Sequence, residues 1–573
     1  MVNVTIDGIQ VEVEEGTTIL AAAEAAGRKI PTLCALQGVN HIGACRICVV
    51  RIEGEERMAA ACNTAVYEGM VVHTNTPEVV RARRSNLQMI MAEHNSDCNV
   101  CLRNGSCALQ DLCRDFSIGR LPFEPEFRIE QWDANFPLQR DASKCIKCMR
   151  CVAVCEQIQH CSVWDFVGTG PHMKVSVHDG KPINTAGCAL CGQCINKCPT
   201  GALTERDDTG KVMRALLDPD TMTVVQVAPA VRAAWGEGVD LAREDATVGR
   251  MVSALRELGF DRVFDTDFAA DLTIMEEASE FIEYVQAGKK RPMFTSCCPG
   301  WVRFAKLHYP QFVPQLSTSK SPHQMMGATV KNTLAEAMEQ EGKKKIFCLS
   351  IMPCVAKKYE CDVPQLATEG GPDVDAVLTV REFDRLLRMF SVDAAALPET
   401  AFDDPLGLST GAATIFGRTG GVMEAALRTA VHMLTGENID YSAVDCTAAT
   451  PEKPWISKAF DVAGLHLEIA IASGLENTAT LLDALESGEA SYDFVEIMAC
   501  PGGCVNGGGQ PIAFNCELAG ERAAVLNSLD AGDTLRRSHD NPDIAKLYET
   551  WLDKPLSEKA EAWLHTEQGE WAI

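Results

Sequence analysis

Apolar and polar residues alternate from Met1 to Ile6 and again over residues 9–13, which predicts two short strands. The Asp7-Gly8 pair between them suits a tight hairpin. A helix is expected over Thr18–Ala26. Residues 78–138 read as a helix followed by a cysteine-rich loop, and residues 139–208 hold an internal repeat. Beyond residue 209, short apolar runs such as Thr223–Val227, Lys345–Ser350 and Phe494–Met498 alternate with helical stretches, and each ends at a loop. That alternation predicts an α/β fold. The expected organisation is a multidomain chain in which small α+β units at 1–77, 78–138 and 139–208 precede a large α/β catalytic domain at 209–573.

Composition narrows the class. Of 573 residues, 46% are hydrophobic, enough for several cores, and the net charge is −27. A chain this acidic repels nucleic acid and anionic lipid. No run of 18 apolar residues is present, and no basic segment followed by an apolar one opens the chain. A cytoplasmic protein with neither a membrane span nor a nucleic-acid partner is expected. The 26 cysteines stand two and three residues apart, a spacing that suits metal rather than disulfides in a chain of this size.

Four groups carry that spacing. The first is Cys34, Cys45, Cys48 and Cys62, with Gly43-Ala44 where backbone must wrap closely. Four thiolates complete two tetrahedral irons, and a single zinc would use the same donors. The second is His94, Cys98, Cys101 and Cys107. The third and fourth are the runs Cys145, Cys148, Cys151, Cys155 and Cys188, Cys191, Cys194, Cys198, the last followed by Pro199. This is the two-cluster bacterial ferredoxin spacing, in which the fourth cysteine of each run serves the other cluster. Cys145, Cys148, Cys151 and Cys198 are therefore expected on one 4Fe–4S cluster, and Cys188, Cys191, Cys194 and Cys155 on the other.

Five further cysteines lie in Phe294-Thr-Ser-Cys297-Cys298-Pro-Gly-Trp301, Met352-Pro-Cys354-Val-Ala-Lys357 and Met498-Ala-Cys500-Pro-Gly-Gly-Cys504. Together, in this order, they resemble the signature segments of iron-iron (FeFe) hydrogenases. The first two groups resemble the 2Fe–2S and histidine-ligated 4Fe–4S units of the same family and of complex I. The resemblance covers essentially the whole chain. It implies reversible reduction of protons to dihydrogen, one 2Fe–2S cluster, three 4Fe–4S clusters and an H-cluster. That H-cluster is a 4Fe–4S cubane joined to a two-iron subsite bearing carbon monoxide, cyanide and a dithiolate bridge.

The resemblance also implies roles. Cys298, Cys354, Cys500 and Cys504 would hold the cubane, with Cys504 bridging to the two-iron subsite. Lys357 would hold one cyanide, and the backbone of Ala228, Pro229 and Ala230 would approach the other. Met352, Met498 and Phe416 would supply apolar wall. Protons would pass through Cys297, Glu277, Ser317 and Glu280, groups that both give and take protons. Four positions depart from the pattern of well-known monomeric members: Tyr284 for an arginine, His323 for a glutamine, Ala230 for a serine and Val355 for a threonine. No role is assigned to Cys113, Cys161, Cys348, Cys361, Cys446 or Cys516.

The expected electron donor is reduced ferredoxin or a similar carrier, and separate maturation proteins would install the two-iron subsite. The main alternative is the catalytic subunit of a multisubunit NAD(P)-linked bifurcating hydrogenase. No Rossmann glycine loop is evident, so flavin- and NAD-binding subunits would be partners. Relatives that sense hydrogen usually lose the relay cysteine, whereas Cys297 is present here.

Overall fold

The computed structural model describes residues 1–288, 292–368, 371–446, 454–462 and 464–570. At the N-terminus, β1 (Val2–Ile6) and β2 (Ile9–Val13) form the expected antiparallel hairpin. Its turn has positive φ at Asp7 and Gly8, the two-residue geometry that follows strand twist. Helix α1 (Ile19–Ala25) is capped by the Thr18 side chain and buries Ile19, Ala22 and Ala23. Strands β3 (Val49–Ile52), β4 (Ala59–Ala60) and β5 (Val71–His73) complete a sheet of order β2-β1-β5-β3-β4. Helix α2 (Pro77–Met91) follows, tied back by Arg83, which donates to the Val49 carbonyl at 2.9 Å. The loop after it contains a helix that hydrophobic periodicity did not predict, α3 (Ala108–Asp115), starting directly after Cys107.

The repeat at 139–208 is visible in the backbone itself. Lys147 and Leu190 have φ of 55° and 57°, and Met149 and Gly192 have φ of 63° and 72°. Equivalent positions of the two runs thus turn left-handed around Cys148 and Cys191. Three of the four are not glycine, and such strain persists only where the surroundings impose it.

The large C-terminal part contains two four-stranded sheets. The first has the order β7-β6-β9-β10, all parallel, from β6 (Thr221–Val227), β7 (Arg262–Asp265), β9 (Lys345–Met352) and β10 (Ala376–Thr379). The second has the order β8-β13-β12-β11, from β8 (Met293–Phe294), β11 (Ile456–Val462), β12 (Leu465–Ser473) and β13 (Phe494–Met498). Its β8-β13 and β13-β12 pairs are parallel, and β11 is an antiparallel edge. Strands β6 and β13 are buried along their whole length, Gln226 and Glu496 included, and read as mainly apolar runs. Helices α4 (Thr266–Gln286), α5 (Pro299–His308) and α6 (Gly421–Thr435) pack around these sheets. The segment after residue 540 lies against α4, where Tyr548, Leu552, Ala560 and Leu564 share a core with Phe268 and Leu272. Among the described residues no helix is long and apolar enough to cross a membrane.

Candidate functional site

Parallel strands place ligand-bearing loops at their carboxyl ends. Here four such ends meet. β6 runs into Ala228-Pro229-Ala230, β8 into Cys297-Cys298, β9 into Pro353-Cys354, and β13 ends at Met498, two residues before Cys500. Between them is a cavity lined by Cys297, Cys298, Cys354, Lys357 and Cys504. Its walls include Ala228, Pro229, Ala230, Met352, Met498 and Phe416. Burial and the neighbouring sulfurs push the Cys354, Cys500 and Cys504 thiols up, Cys354 to about 12. Crowded thiols that cannot ionise unaided fit a site whose charge is supplied by metal. Among the described residues no three His, Cys, Asp or Glu side chains converge on a point that a single metal ion would fill.

Lys357 is buried, and its ammonium is fixed by Glu360 Oε2 at 2.7 Å and the Cys297 carbonyl at 3.1 Å. Two of its three N–H donors are used, leaving one for the cavity. Burial alone would raise the Glu360 carboxyl, but Lys357 and His323 outweigh it and bring it to about 2. His323 Nε2 lies 2.5 Å from the same oxygen, and burial followed by Lys357 lowers the imidazole to about 4. Among the departures from the family pattern, Ala230 and His323 face the cavity. Val355 instead packs towards Gly192. Tyr284 is buried on α4.

Of the groups expected to carry protons, Glu277 is fully buried, and neither carboxylate oxygen has a close hydrogen-bond partner among the described residues. Burial, then Glu280, pushes it up to about 8, so it is a neutral acid near pH 7. Ser317 Oγ donates to Glu280 at 2.6 Å. Direct bonding therefore joins Ser317 to Glu280, while Cys297 and Glu277 are neighbours without a direct bond.

The cysteine groups are in mutual contact. Within the first, the Cys34 thiol bonds to those of Cys45 and Cys62, and Cys48 bonds to Cys62. In the second, buried His94 has an unpartnered Nδ1 while its ring bonds to the Lys144 backbone. One free nitrogen and one anchored N–H is how a ligating histidine is held. Asn40 Nδ2 donates to both the Cys34 carbonyl (2.8 Å) and the Cys148 carbonyl (3.0 Å), joining the first group to the third. Cys107 Sγ lies 3.6 Å from the Pro199 carbonyl, joining the second group to Cys198. Cys500 Sγ lies 3.7 Å from the Cys191 carbonyl, and Gln193 donates to the Asn506 carbonyl at 2.8 Å, joining the repeat to the cavity.

All 26 cysteines are free thiols, none in a disulfide. Sequence spacing did not single out Asn40, Gln193 or Glu360. Only Glu360 left a signal, standing three residues after Lys357 on one helical face.

Comparison with known proteins agrees with this geometry. Residues 221–508 match the family described as iron only hydrogenase large subunit, C-terminal domain, and residues 517–567 match the iron hydrogenase small subunit. Residues 1–77 match a 2Fe-2S iron-sulfur cluster binding domain. Residues 83–121 and 137–204 match the NADH-ubiquinone oxidoreductase-G iron-sulfur binding region and the ferredoxin-like domain of NADH-quinone oxidoreductase subunit 3. The chain is 44% identical to the NADP-reducing hydrogenase subunit HndD of Solidesulfovibrio fructosivorans, over 99% of this chain and 98% of that one. It is 35% identical to iron hydrogenase 1 of Clostridium pasteurianum, over 99% of both. A structure of FeFe-hydrogenase HydA1 from Chlamydomonas reinhardtii superposes with a TM-score of 0.55 at 36% identity, covering 62% of this chain and 98% of that one.

The chain belongs to the iron-iron hydrogenase family. It is an oxidoreductase of the hydrogenase class that uses iron–sulfur clusters and an H-cluster.

Proposed function

We propose that this hydrogenase reversibly reduces protons to dihydrogen with electrons from reduced ferredoxin or a similar soluble carrier. The units at 1–77, 78–138 and 139–208 act as an internal relay, and 209–573 is the catalytic domain. Cys34, Cys45, Cys48 and Cys62 hold a 2Fe–2S cluster. His94, Cys98, Cys101 and Cys107 hold a 4Fe–4S cluster. The repeat holds two more, shared as its spacing requires. Cys298, Cys354, Cys500 and Cys504 hold the H-cluster, which when bound supplies the site where protons and electrons combine.

The protein's own residues position, shield and protonate. The free donor of Lys357 suits an anionic ligand, and the backbone of Ala228-Pro229-Ala230 suits a second. Met352, Met498 and Phe416 exclude water. Cys297, Glu277, Ser317 and Glu280 move protons between the cavity and the protein exterior. The observation that carries this reading is the cavity at the strand ends, where a spare thiol and a fixed ammonium stand beside three of the four proposed cubane ligands.

One observation favours a partner complex as well: the end-to-end likeness to a subunit of an NADP-reducing hydrogenase. Ile42 and Val100, beside the cysteines of the first and second groups, are 48% and 79% exposed, as suits docking at an electron inlet. The test is hydrogen evolution by the anaerobically matured chain, with reduced ferredoxin alone and reduced viologen as control. Activity with both supports the ferredoxin reading. Activity with viologen alone transfers the natural donor to flavin- and NAD-binding partner subunits in the cytoplasm.

A further inference from the structure

Glu280 sits half-buried on α4 and is held by a dense set of donors. Besides Ser317 Oγ, the Thr318 backbone N–H reaches Oε1 at 3.0 Å and Oε2 at 3.2 Å, and the Thr318 hydroxyl donates to Oε1 at 3.0 Å. That hydroxyl also lies 2.8 Å from Nδ1 of His565. The other ring nitrogen of His565 is 3.0 Å from Glu276 Oε2.

His565 belongs to the C-terminal segment, not to either sheet. The segment is pinned beside the relay: Lys320 N–H donates to the Leu564 carbonyl at 2.7 Å, and Thr566 N–H donates to the Thr318 carbonyl at 2.8 Å. Tyr284, one turn beyond Glu280 on α4, is buried.

We propose that protons pass between Glu280 and His565 through the Thr318 hydroxyl, so that the C-terminal segment supplies the relay's outlet. This rests on the Glu277–Ser317–Glu280 relay proposed above. Hydrogen-bond directions support it. Glu276 accepts from the Tyr548 hydroxyl at 2.5 Å and from the Leu556 N–H at 2.9 Å. Glu276 Oε2 faces Nε2 and Thr318 Oγ1 faces Nδ1, so an imidazolium would find an acceptor at each ring nitrogen.

The step conserves protons. Nδ1–H moves to Thr318 Oγ1 as that hydroxyl's own hydrogen moves to the Glu280 carboxylate. His565, with its side chain 8% exposed, then regains a proton from solvent. In hydrogen oxidation the same transfers run in reverse. Histidine suits this place because each ring nitrogen can carry or release a hydrogen.

The test uses the matured holoenzyme and the variants Thr318→Val, His565→Ala and Glu280→Gln, assayed for hydrogen evolution with reduced viologen. Thr318→Val keeps the side-chain shape and removes only the hydroxyl. Expected is a fall of at least about tenfold in both Thr318→Val and His565→Ala. Infrared bands of bound carbon monoxide and cyanide should be unchanged. Added imidazole should restore His565→Ala but not Thr318→Val, an effect that a purely structural role would not produce. Near-normal turnover in Thr318→Val and His565→Ala while Glu280→Gln is inactive overturns the outlet and leaves the relay standing. Loss in His565→Ala without imidazole rescue, with Thr318→Val unaffected, also overturns it. Near-normal turnover in Glu280→Gln overturns the relay itself.

Discussion

The sulfur of Cys500 lies 3.7 Å from the backbone carbonyl oxygen of Cys191. A residue of the ferredoxin-like repeat thus touches one of the proposed cubane ligands directly. Glycines make this approach possible. A Cβ on Gly508 would stand 2.4 Å from the Cys191 oxygen and 2.6 Å from Gly192 Cα.

Gly508→Ala should therefore push the repeat away from the cavity. Hydrogen evolution with reduced viologen is expected to fall by about tenfold or more, because small displacements at a reacting site are costly. Electron paramagnetic resonance of the clusters in residues 1–208 should persist, separating this from general unfolding.

Cys297→Ala removes a thiol that lines the cavity and is not one of the proposed cubane ligands. Cluster content and the infrared bands should survive, while turnover falls about a hundredfold or more. Glu277→Gln should act similarly, since it replaces a buried acid held protonated near neutral pH by an amide that cannot pass a proton on. Near-normal turnover in either would remove that residue from the relay.

Lys357 and Lys358 are adjacent in sequence and opposite in role. Lys357 faces the cavity. Lys358 is fully buried between Asp208 Oδ2 (2.8 Å), Glu382 Oε1 (3.0 Å) and the Val377 carbonyl (2.7 Å). Lys358→Met leaves buried Glu382 without its cation, while Asp208 keeps Arg206 and Lys211, and should cost about 3 kcal/mol. Lys357→Met should leave the melting temperature closer to wild type and abolish turnover. Thermal melts and activity of the two variants, compared directly, decide this.

His539 stacks on His432 with ring centres 4.1 Å apart. Burial, then the proximity of His432, lowers the His539 imidazole to about 4. In the unfolded chain histidine titrates near about 6.5. Between those values the unfolded state binds the extra proton, so stability is full above about pH 6.5 and declines as pH falls towards 4. His539→Phe keeps a ring but cannot be protonated, so the acid slope of its melting temperature should be shallower than that of the wild type. Equal slopes would show that His539 contributes nothing to acid sensitivity.

Much of the catalytic architecture was legible because it is written in local spacing. β6 and β13 read as short, mainly apolar runs, and the cysteine segments marked the loops at strand ends. The hairpin at Asp7-Gly8 followed from turn chemistry. What spacing does not record is contact between distant segments. Asn40 meets Cys148 across 108 positions, and Thr318 meets His565 across 247. No periodicity links such pairs, since tertiary packing alone brings them together.

Asn40 ties the first cysteine group to Cys148, and Cys107 meets Pro199 beside Cys198. With Cys148 and Cys198 on one cluster, as proposed, two inlets would open onto a single junction. Dihydrogen needs two electrons, whereas iron–sulfur carriers deliver one at a time. A junction with two taps behaves as a small reservoir: it fills from whichever supply is available and discharges into one outflow. Blocking one tap would slow the filling without draining the reservoir, so supply to the catalytic centre can be redundant even though its delivery is not.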